Sequence, residues 1–148
     1  MEDCGKPAAD YKKLCDTAVK YGAAFHKAFD FSADSIAALD EILQYYHEEY
    51  RENRASDSQL WNLSVIFGVY LGQTLLDTYL TLRGYFWAAG EDSIPVLKKD
   101  GKNQMSPITK VYKRLLNGPE DSVKSFYDVA LYIADGKHRC TRGTNKIK

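Results

Sequence analysis

The stretch that decides the fold lies mid-chain, where residues 56–76 read SDSQLWNLSVIFGVYLGQTLL. It opens with a capping box, because Ser56 is followed three residues later by Gln59 and each side chain can bind an otherwise unpaired backbone amide. From Leu60 onward apolar side chains fall on nearly every face, and a helix that is apolar all round belongs at the centre of a domain. We therefore predict a central buried helix.

Two glycines stand inside this helix. Gly68 and Gly72 lie about one turn apart, and each costs about 1 kcal/mol of helix propensity relative to alanine. A glycine leaves room for a close approach of another backbone. We infer that another element crosses the helix at this pair.

Two amphipathic helices are predicted before it, because apolar residues recur at intervals of three and four. The first runs from about Ala8 to Phe29, and the second is capped by Ser32 or Asp34. The opposite face of the second helix is acidic, and we expect it to face solvent. Its residues are Asp40, Glu41, Gln44, Glu48, Glu49 and Glu52.

After a break at Gly84 the residues favour short strands. The aromatic run at 85–88 and residues 93–98 are the first two, and the turn dipeptide Asp100-Gly101 leads to a third strand at 102–106. The sequence therefore predicts a small antiparallel sheet of about three strands.

Two further helices complete the pattern. Pro107 begins a short helix that ends at Asn117-Gly118-Pro119, and Asp121 or Ser122 caps a last helix closed by Gly136. The fold class is α+β: a mostly helical single domain at residues 1–136, followed by a basic and mobile tail at 137–148.

The net charge of the chain favours no class of charged partner. The chain has 148 residues, and its 20 basic and 20 acidic side chains cancel, so no overall field favours nucleic acid, an anionic membrane or an acidic substrate. The cancellation hides an asymmetry, since residues 1–136 carry 15 basic and 20 acidic side chains. All five charges of the tail are basic: Lys137, Arg139, Arg142, Lys146 and Lys148.

The cysteines and the hydropathy indicate a compartment. Cys4, Cys15 and Cys140 have no metal-ligand or C-x-x-C spacing, which predicts free thiols in a reducing cytoplasm. No stretch approaches the roughly 20 apolar residues of a membrane span, and the polar start lacks the apolar segment of a signal peptide. We expect a cytoplasmic protein that uses no cofactor and no membrane.

A set of short motifs, covering under half of the chain, resembles a family of small uncharacterised bacterial proteins. The motifs are FGVYLGQ at 67–73, GYFW at 84–87, Pro95, Pro107, KVYKRL at 110–115, NGPEDS at 117–122 and FY at 126–127. The resemblance implies a helical domain with a short sheet, a bacterial origin and, because similar proteins occur near toxin or immunity genes, an inhibitor of a partner protein. Members often carry glutamate where this chain has Gln73, and a glutamine cannot act as a general base.

We therefore predict a protein-binding module of a bacterial cytoplasm, of the immunity type that neutralises a partner toxin. The candidate surface is the acidic, tyrosine-rich face of the second helix, since exposed aromatic residues rimmed by charge are typical of binding hot spots and complementary charge speeds encounter. Its residues are Asp40, Glu41, Tyr45, Glu48, Glu49, Tyr50 and Glu52.

A first alternative is a small enzyme or small-molecule-binding protein with one pocket between the central helix, the sheet and the next helix. The pocket would be lined by Tyr70, Gln73, Trp87, Lys110 and Arg114. Catalysis is disfavoured, because the sequence has no nucleophile elbow and no phosphate-binding glycine loop. Each histidine (His26, His47, His138) also lacks a second ligand at metal-binding spacing. We expect no catalytic residues and no metal site.

A second alternative is nucleic-acid binding through the basic C-terminal end. Aromatic residues at 85–87 could stack bases if they were exposed, whereas in the competing interpretation they seal the sheet against the central helix. The basic side chains that would join the tail in this surface are Lys98, Lys99, Lys102, Lys110, Lys113 and Arg114.

Overall fold

The structure is a computed structural model that describes residues 5–90, 93–99 and 103–134. Some predicted features lie outside these residues, so the structure does not bear on them. They are Cys4, the Asp100-Gly101 turn, Gly136 and the basic tail with His138 and Cys140.

The described residues form five α-helices and a three-stranded antiparallel sheet of order β1-β2-β3, so the predicted mostly helical α+β fold is confirmed. The helices are α1 (Gly5–Ala24), α2 (Ala33–Arg51), α3 (Asp57–Thr78), α4 (Pro107–Asn117) and α5 (Val123–Ala134). The strands are β1 (Phe86–Ala89), β2 (Pro95–Lys98) and β3 (Gln104–Met105), and short 3₁₀ helices occupy Leu80–Arg83 and Pro119–Asp121.

The central helix of the core is α3. Its capping box forms as expected, because the Gln59 amide donates to Ser56 Oγ and the Ser56 amide donates to Gln59 Oε1, both at 3.1 Å. Phe67, Leu71 and Leu75 are fully buried, and α3 packs against each of the other four helices. The predicted central buried helix is confirmed.

The glycine pair of α3 is where two elements cross. A Cβ on Gly68 would lie 2.5 Å from the Cα of Ile108 in α4, and one on Gly72 would lie 2.4 Å from Cη2 of Trp87 in β1. Neither approach leaves room for a larger residue. The crossing inferred from the sequence is therefore confirmed, with α4 at Gly68 and β1 at Gly72.

The first helix is shorter than predicted, because α1 ends at Ala24 and not at Phe29. The chain then reverses, and Phe31 adopts a left-handed φ of 60°. The Phe29 ring folds back onto Gly22, and the Tyr70 ring lies against those of Phe29 and Phe31, with centroids 4.7 Å apart in both pairs. Packing of these two rings on α3 overrides the helical periodicity of the sequence.

The sheet places one strand in the core. Trp87 pairs with Leu97, and Leu97 pairs with Met105 on its other side. Leu97 is fully buried, and β2 packs against α4. Strand β2 begins at Pro95 and not at Ser93, because Ser93 adopts a left-handed φ of 64° that does not fit an extended strand. Strand β3 comprises only Gln104–Met105.

Candidate functional site

Asp40, predicted to lie on the exposed acidic face, is bound inside the protein. Its carboxylate accepts hydrogen bonds from the Ser122 hydroxyl at 2.6 Å and from the backbone amides of Val123 and Lys124 at 3.1 and 2.9 Å. These amides belong to the first turn of α5, where no helical carbonyl can accept from them. A side chain of α2 thus caps α5, and the assignment of Asp40 to a partner surface is corrected.

Arg114, predicted to line a pocket, completes the same cluster. Its Nε donates to Asp40 Oδ1 at 2.9 Å and its Nη1 donates to Gln44 Oε1 at 3.0 Å, and only 5% of the side chain is exposed. Burial alone would raise the pKa of Asp40, but the hydrogen bonds to its carboxylate, that of Ser122 foremost, together lower it below the ordinary value of 3.8. Arg114 is therefore a structural residue and its assignment to a pocket is corrected.

Four of the predicted surface residues are exposed to solvent. Glu41, Tyr45, Glu48 and Glu52 recur at intervals of three and four, so they share one side of α2 and its C-cap, and all four are exposed. We call these four residues the α2 stripe.

The other two residues of the predicted surface are tied to neighbours. Arg54 binds Glu49 through Nε and Nη2 at 3.1 and 2.9 Å, and Tyr50 donates its hydroxyl to Asp57 at 2.7 Å. Glu49 and Tyr50 are half-buried. They hold the end of α2 against the turn that leads into α3, beside the stripe rather than within it.

The tyrosine of the stripe is supported by other rings. Tyr45 is 47% exposed and meets Phe25 and Tyr46 edge to face, with centroids 5.3 and 5.1 Å apart. The ring centroid of Tyr46 lies 6.4 Å from that of Tyr21, and the ring centroid of Tyr21 lies 5.4 Å from that of the buried Phe67. The exposed ring is therefore the outer end of an aromatic cluster that reaches the core.

Tyr70, predicted to line a pocket, is completely buried. Its hydroxyl accepts from the Phe31 amide at 2.8 Å and lies 2.7 Å from Ser35 Oγ, whose own proton goes to the Ser32 carbonyl at 2.7 Å. The Tyr70 hydroxyl must therefore donate to Ser35. Tyr70 holds the left-handed turn before α2, and its assignment to a pocket is corrected.

The basic residues of α4 do not join a pocket with Gln73. Lys110 pairs with Asp121 at 2.9 Å, and Arg114 faces Asp40, so the predicted pocket spanning the sheet and α4 is not formed by these side chains. Of the aromatic run at 85–87, Tyr85 is buried and Phe86 is exposed. Trp87 is half-buried, so only Tyr85 of the three is closed to a stacking base.

Gln73 and Trp87 do line a groove of about 410 Å³, which lies between α1, α3 and β1. We call it the Trp87 groove, and its lining residues are Tyr11, Lys12, Cys15, Asp16, Phe31, Gln73, Asp77 and Trp87. The residues from α1 were not predicted to be part of a site. Tyr11 and Cys15 are spaced like core residues, and only the packing of α1 on α3 brings them to Trp87.

Within the groove the Gln73 amide has one orientation. The indole Nε1 of Trp87 can only donate, and it lies 3.1 Å from Gln73 Oε1. The amide nitrogen of Gln73 then donates to Asp77 Oδ1 at 2.9 Å. This chain of hydrogen bonds fixes an aromatic ring and a carboxylate relative to one another.

The cysteine of the groove is not a nucleophile. Cys15 is buried, and burial first, then the negative charges of Asp77 and Asp16, raise its pKa to about 12. A thiol with such a pKa stays protonated at neutral pH, and the thiolate is the reactive form. Cys15 therefore packs as a small apolar side chain, as its place in the apolar stripe predicted.

The buried histidine has a structural partner. Nδ1 of His47 donates to the Leu115 carbonyl at 2.7 Å, near the C-terminus of α4 where carbonyls lack helical partners. Among the residues that the structure describes, no group of three or more His, Cys, Asp or Glu side chains could hold a metal ion.

None of the helices in the described part of the chain has the length and apolar character needed to cross a membrane.

Comparison with protein-family models, curated proteins and solved structures finds no match to this chain. The family resemblance of the short motifs therefore stays a prediction, and the residues and their geometry are what bear on function.

Proposed function

We propose that this protein is a protein-binding module whose α2 stripe docks on a basic surface of a partner protein. One observation carries the proposal: Tyr45 is 47% exposed, yet it rests on Phe25 and Tyr46 at the end of an aromatic cluster that reaches the core. A supported aromatic ring loses little conformational freedom when it is covered, and rings of this kind dominate many interfaces.

The charge around Tyr45 favours a basic partner. Glu41 and Glu48 flank it within one turn on either side, and Glu52 extends the same stripe. The ammonium of Lys27 lies 2.6 Å from the Glu41 carboxylate and offsets its charge, whereas the guanidinium of Arg54 lies 3.5 Å from the Glu52 carboxylate. Glu48 accepts a hydrogen bond from Gln44, which is neutral and leaves the charge of Glu48 unbalanced. The stripe therefore stays negative, and lysines or arginines of a partner would be steered to it.

An immunity-type inhibitor is a class of protein that would bind its partner through such an acidic surface. It would cover the basic working surface of a toxin with an acidic surface of its own, in keeping with the resemblance to bacterial proteins found near toxin or immunity genes. The nucleic-acid alternative relies on the basic C-terminal end and not on the stripe, and because residues 137–148 lie outside the described part of the chain it stays a separate prediction.

Site-specific crosslinking tests the proposal. A photoreactive phenylalanine analogue would replace Tyr45 in the full chain, expressed in the cell to which the protein is native, with the same analogue at the exposed Tyr132 of α5 as the matched control. We expect position 45, and not position 132, to capture one partner. Changing Glu41, Glu48 and Glu52 together to glutamine would weaken the purified complex about tenfold or more at low salt. Equal capture from both positions, or affinity that ignores the three glutamates, would contradict the proposal.

A further inference from the structure

The Trp87 groove carries chemistry that the proposed docking surface does not use. It lies between α1, α3 and β1, whereas the stripe lies on α2, so the two can be tested separately. Its volume of about 410 Å³ falls within the range of roughly 300–1,000 Å³ that is usual for small-molecule sites.

The walls of the groove are aromatic. The rings of Tyr11 and Trp87 lie with centroids 4.5 Å apart and planes tilted by 31°, and Phe31 supplies a third ring to the lining. Trp87 is only half-buried, so part of its surface stays accessible from the groove. Aromatic faces carry negative charge density and attract cations, with tryptophan the strongest of the three.

The charged groups of the groove are mostly acidic. Asp16 and Asp77 are both exposed lining residues, and Lys12 is the one cation among the described lining residues. Lys12 reaches Asp16 at 3.7 Å, but their side chains are 80% and 61% exposed, so solvent screens the pair and it holds neither group firmly. A ligand cation could therefore replace Lys12 as the partner of Asp16.

Trp87 and Asp77, two of the recognition groups, are held in place by other residues of the protein. Gln73 bridges the Trp87 indole to the Asp77 carboxylate through hydrogen bonds of 3.1 and 2.9 Å. Gly72, whose Cβ would lie 2.4 Å from the indole, leaves the space that the ring occupies. This part of the site therefore needs little reorganisation, which lowers the free-energy cost of binding.

We propose that the Trp87 groove binds an alkylammonium group, with the ammonium held by Asp16 and Asp77 and its apolar body placed against Trp87 and Tyr11. The carboxylates disfavour anions, and a neutral ligand can hydrogen-bond to them but lacks the attraction between opposite charges. Two sources share this chemistry, a free amine and the lysine side chain of a peptide.

Fluorescence titration tests this proposal. The Trp61→Phe variant leaves Trp87 as the sole tryptophan, because the chain has two. It would be titrated with benzylammonium, with benzyl alcohol as the neutral analogue of the same shape, and with Nα-acetyl-lysine methylamide. We expect benzylammonium to change the Trp87 emission saturably and to bind about tenfold tighter than the alcohol. Butylammonium, which has the stem of lysine without a peptide backbone, is the reference for the source: binding of the lysine derivative as tight as that of butylammonium would identify a peptide source, and weaker binding a free amine.

Charge variants locate the site. Asp16→Asn and Asp77→Asn should each weaken benzylammonium binding roughly threefold to tenfold, whereas Asp128→Asn on α5, away from the lining, should leave it unchanged. Asp16 is exposed and pairs with the exposed Lys12, so we expect its variant to fold even if loss of the Asp77 hydrogen bond disturbs Gln73. The proposal is overturned if ammonium and alcohol bind alike, if no saturable change occurs, or if Asp16→Asn binds like the parent.

Discussion

Nε of Arg114 lies 2.9 Å from Oδ1 of Asp40, and this pair joins α4 to α2 across 74 positions of the chain. The sequence patterns had assigned Asp40 to a surface for a partner protein and Arg114 to a pocket for a ligand. The same carboxylate accepts the first amides of α5. One aspartate therefore holds three helices together, and neither side chain is left for a partner.

The substitution Asp40→Asn should destabilise the protein by about 2–4 kcal/mol, because it leaves the guanidinium of Arg114 buried without its charge partner and weakens the cap of α5. Urea denaturation followed by circular dichroism measures the change. The matched control is Asp128→Asn, whose carboxylate pairs with Lys124 one turn away and is 59% exposed. The control should stay within about 0.5 kcal/mol of the parent, and an equally small effect of Asp40→Asn would show that the cluster is not structural.

Stability should fall in acid because the pKa of Asp40 is lowered in the folded state. The unfolded chain takes up the proton first, near the ordinary pKa of 3.8, so the free energy of unfolding declines from about that pH until the folded-state pKa is passed. Above this window the contribution is fully present. Urea midpoints measured from about pH 6 to about pH 3 report the slope.

The same titration of Asp40→Asn is the control for this prediction. Asp121 has its pKa lowered by hydrogen bonds from Lys110 and then Asn117, so a shallow slope of the same sign should remain. A variant that lost stability in acid as steeply as the parent would assign the pH dependence to other groups.

The substitution Gly68→Ala should destabilise the protein although alanine is the better helix former. The added Cβ would lie 2.5 Å from the Cα of Ile108, and this neighbour is backbone, which cannot rotate away. Overpacking of this kind costs about 1–3 kcal/mol, more than the gain of about 1 kcal/mol in propensity. Asn62→Ala, at an exposed position of the same helix, should be neutral or stabilising. Gains from both substitutions in thermal unfolding would mean that α4 does not cross so closely.

Removal of the hydroxyl should change the stability of the protein differently at Tyr70 and at Tyr45, two of the three tyrosines that were assigned to candidate sites. Tyr70→Phe deprives the Phe31 amide and Ser35 of their partner in the core and should cost about 1–3 kcal/mol. Tyr45→Phe keeps the ring on an exposed position and should change stability by less than about 0.5 kcal/mol. Chemical denaturation of the two variants in parallel gives the comparison, and equal effects would contradict the structural role of Tyr70.

The sequence by itself determined the elements and the centre of the fold. The capping box at Ser56 and Gln59 depends on neighbours three residues apart, and the all-round apolar pattern of α3 has no stable place other than the core. The pair Gly68 and Gly72 likewise predicted a close crossing. Each glycine lowers helix propensity, and this cost is expected where a larger side chain would collide with another element.

Only the tertiary structure decided which polar residues are available for function. On an amphipathic helix, a carboxylate that caps a distant helix and one that faces water occupy the same polar side, so Asp40 and Glu41 look alike in sequence. The partners of Asp40 lie 74 to 84 positions away, beyond any local pattern. The Trp87 groove also depends on contacts among α1, α3 and β1, and the apolar spacing of Tyr11 and Cys15 indicates burial without indicating what the buried face meets.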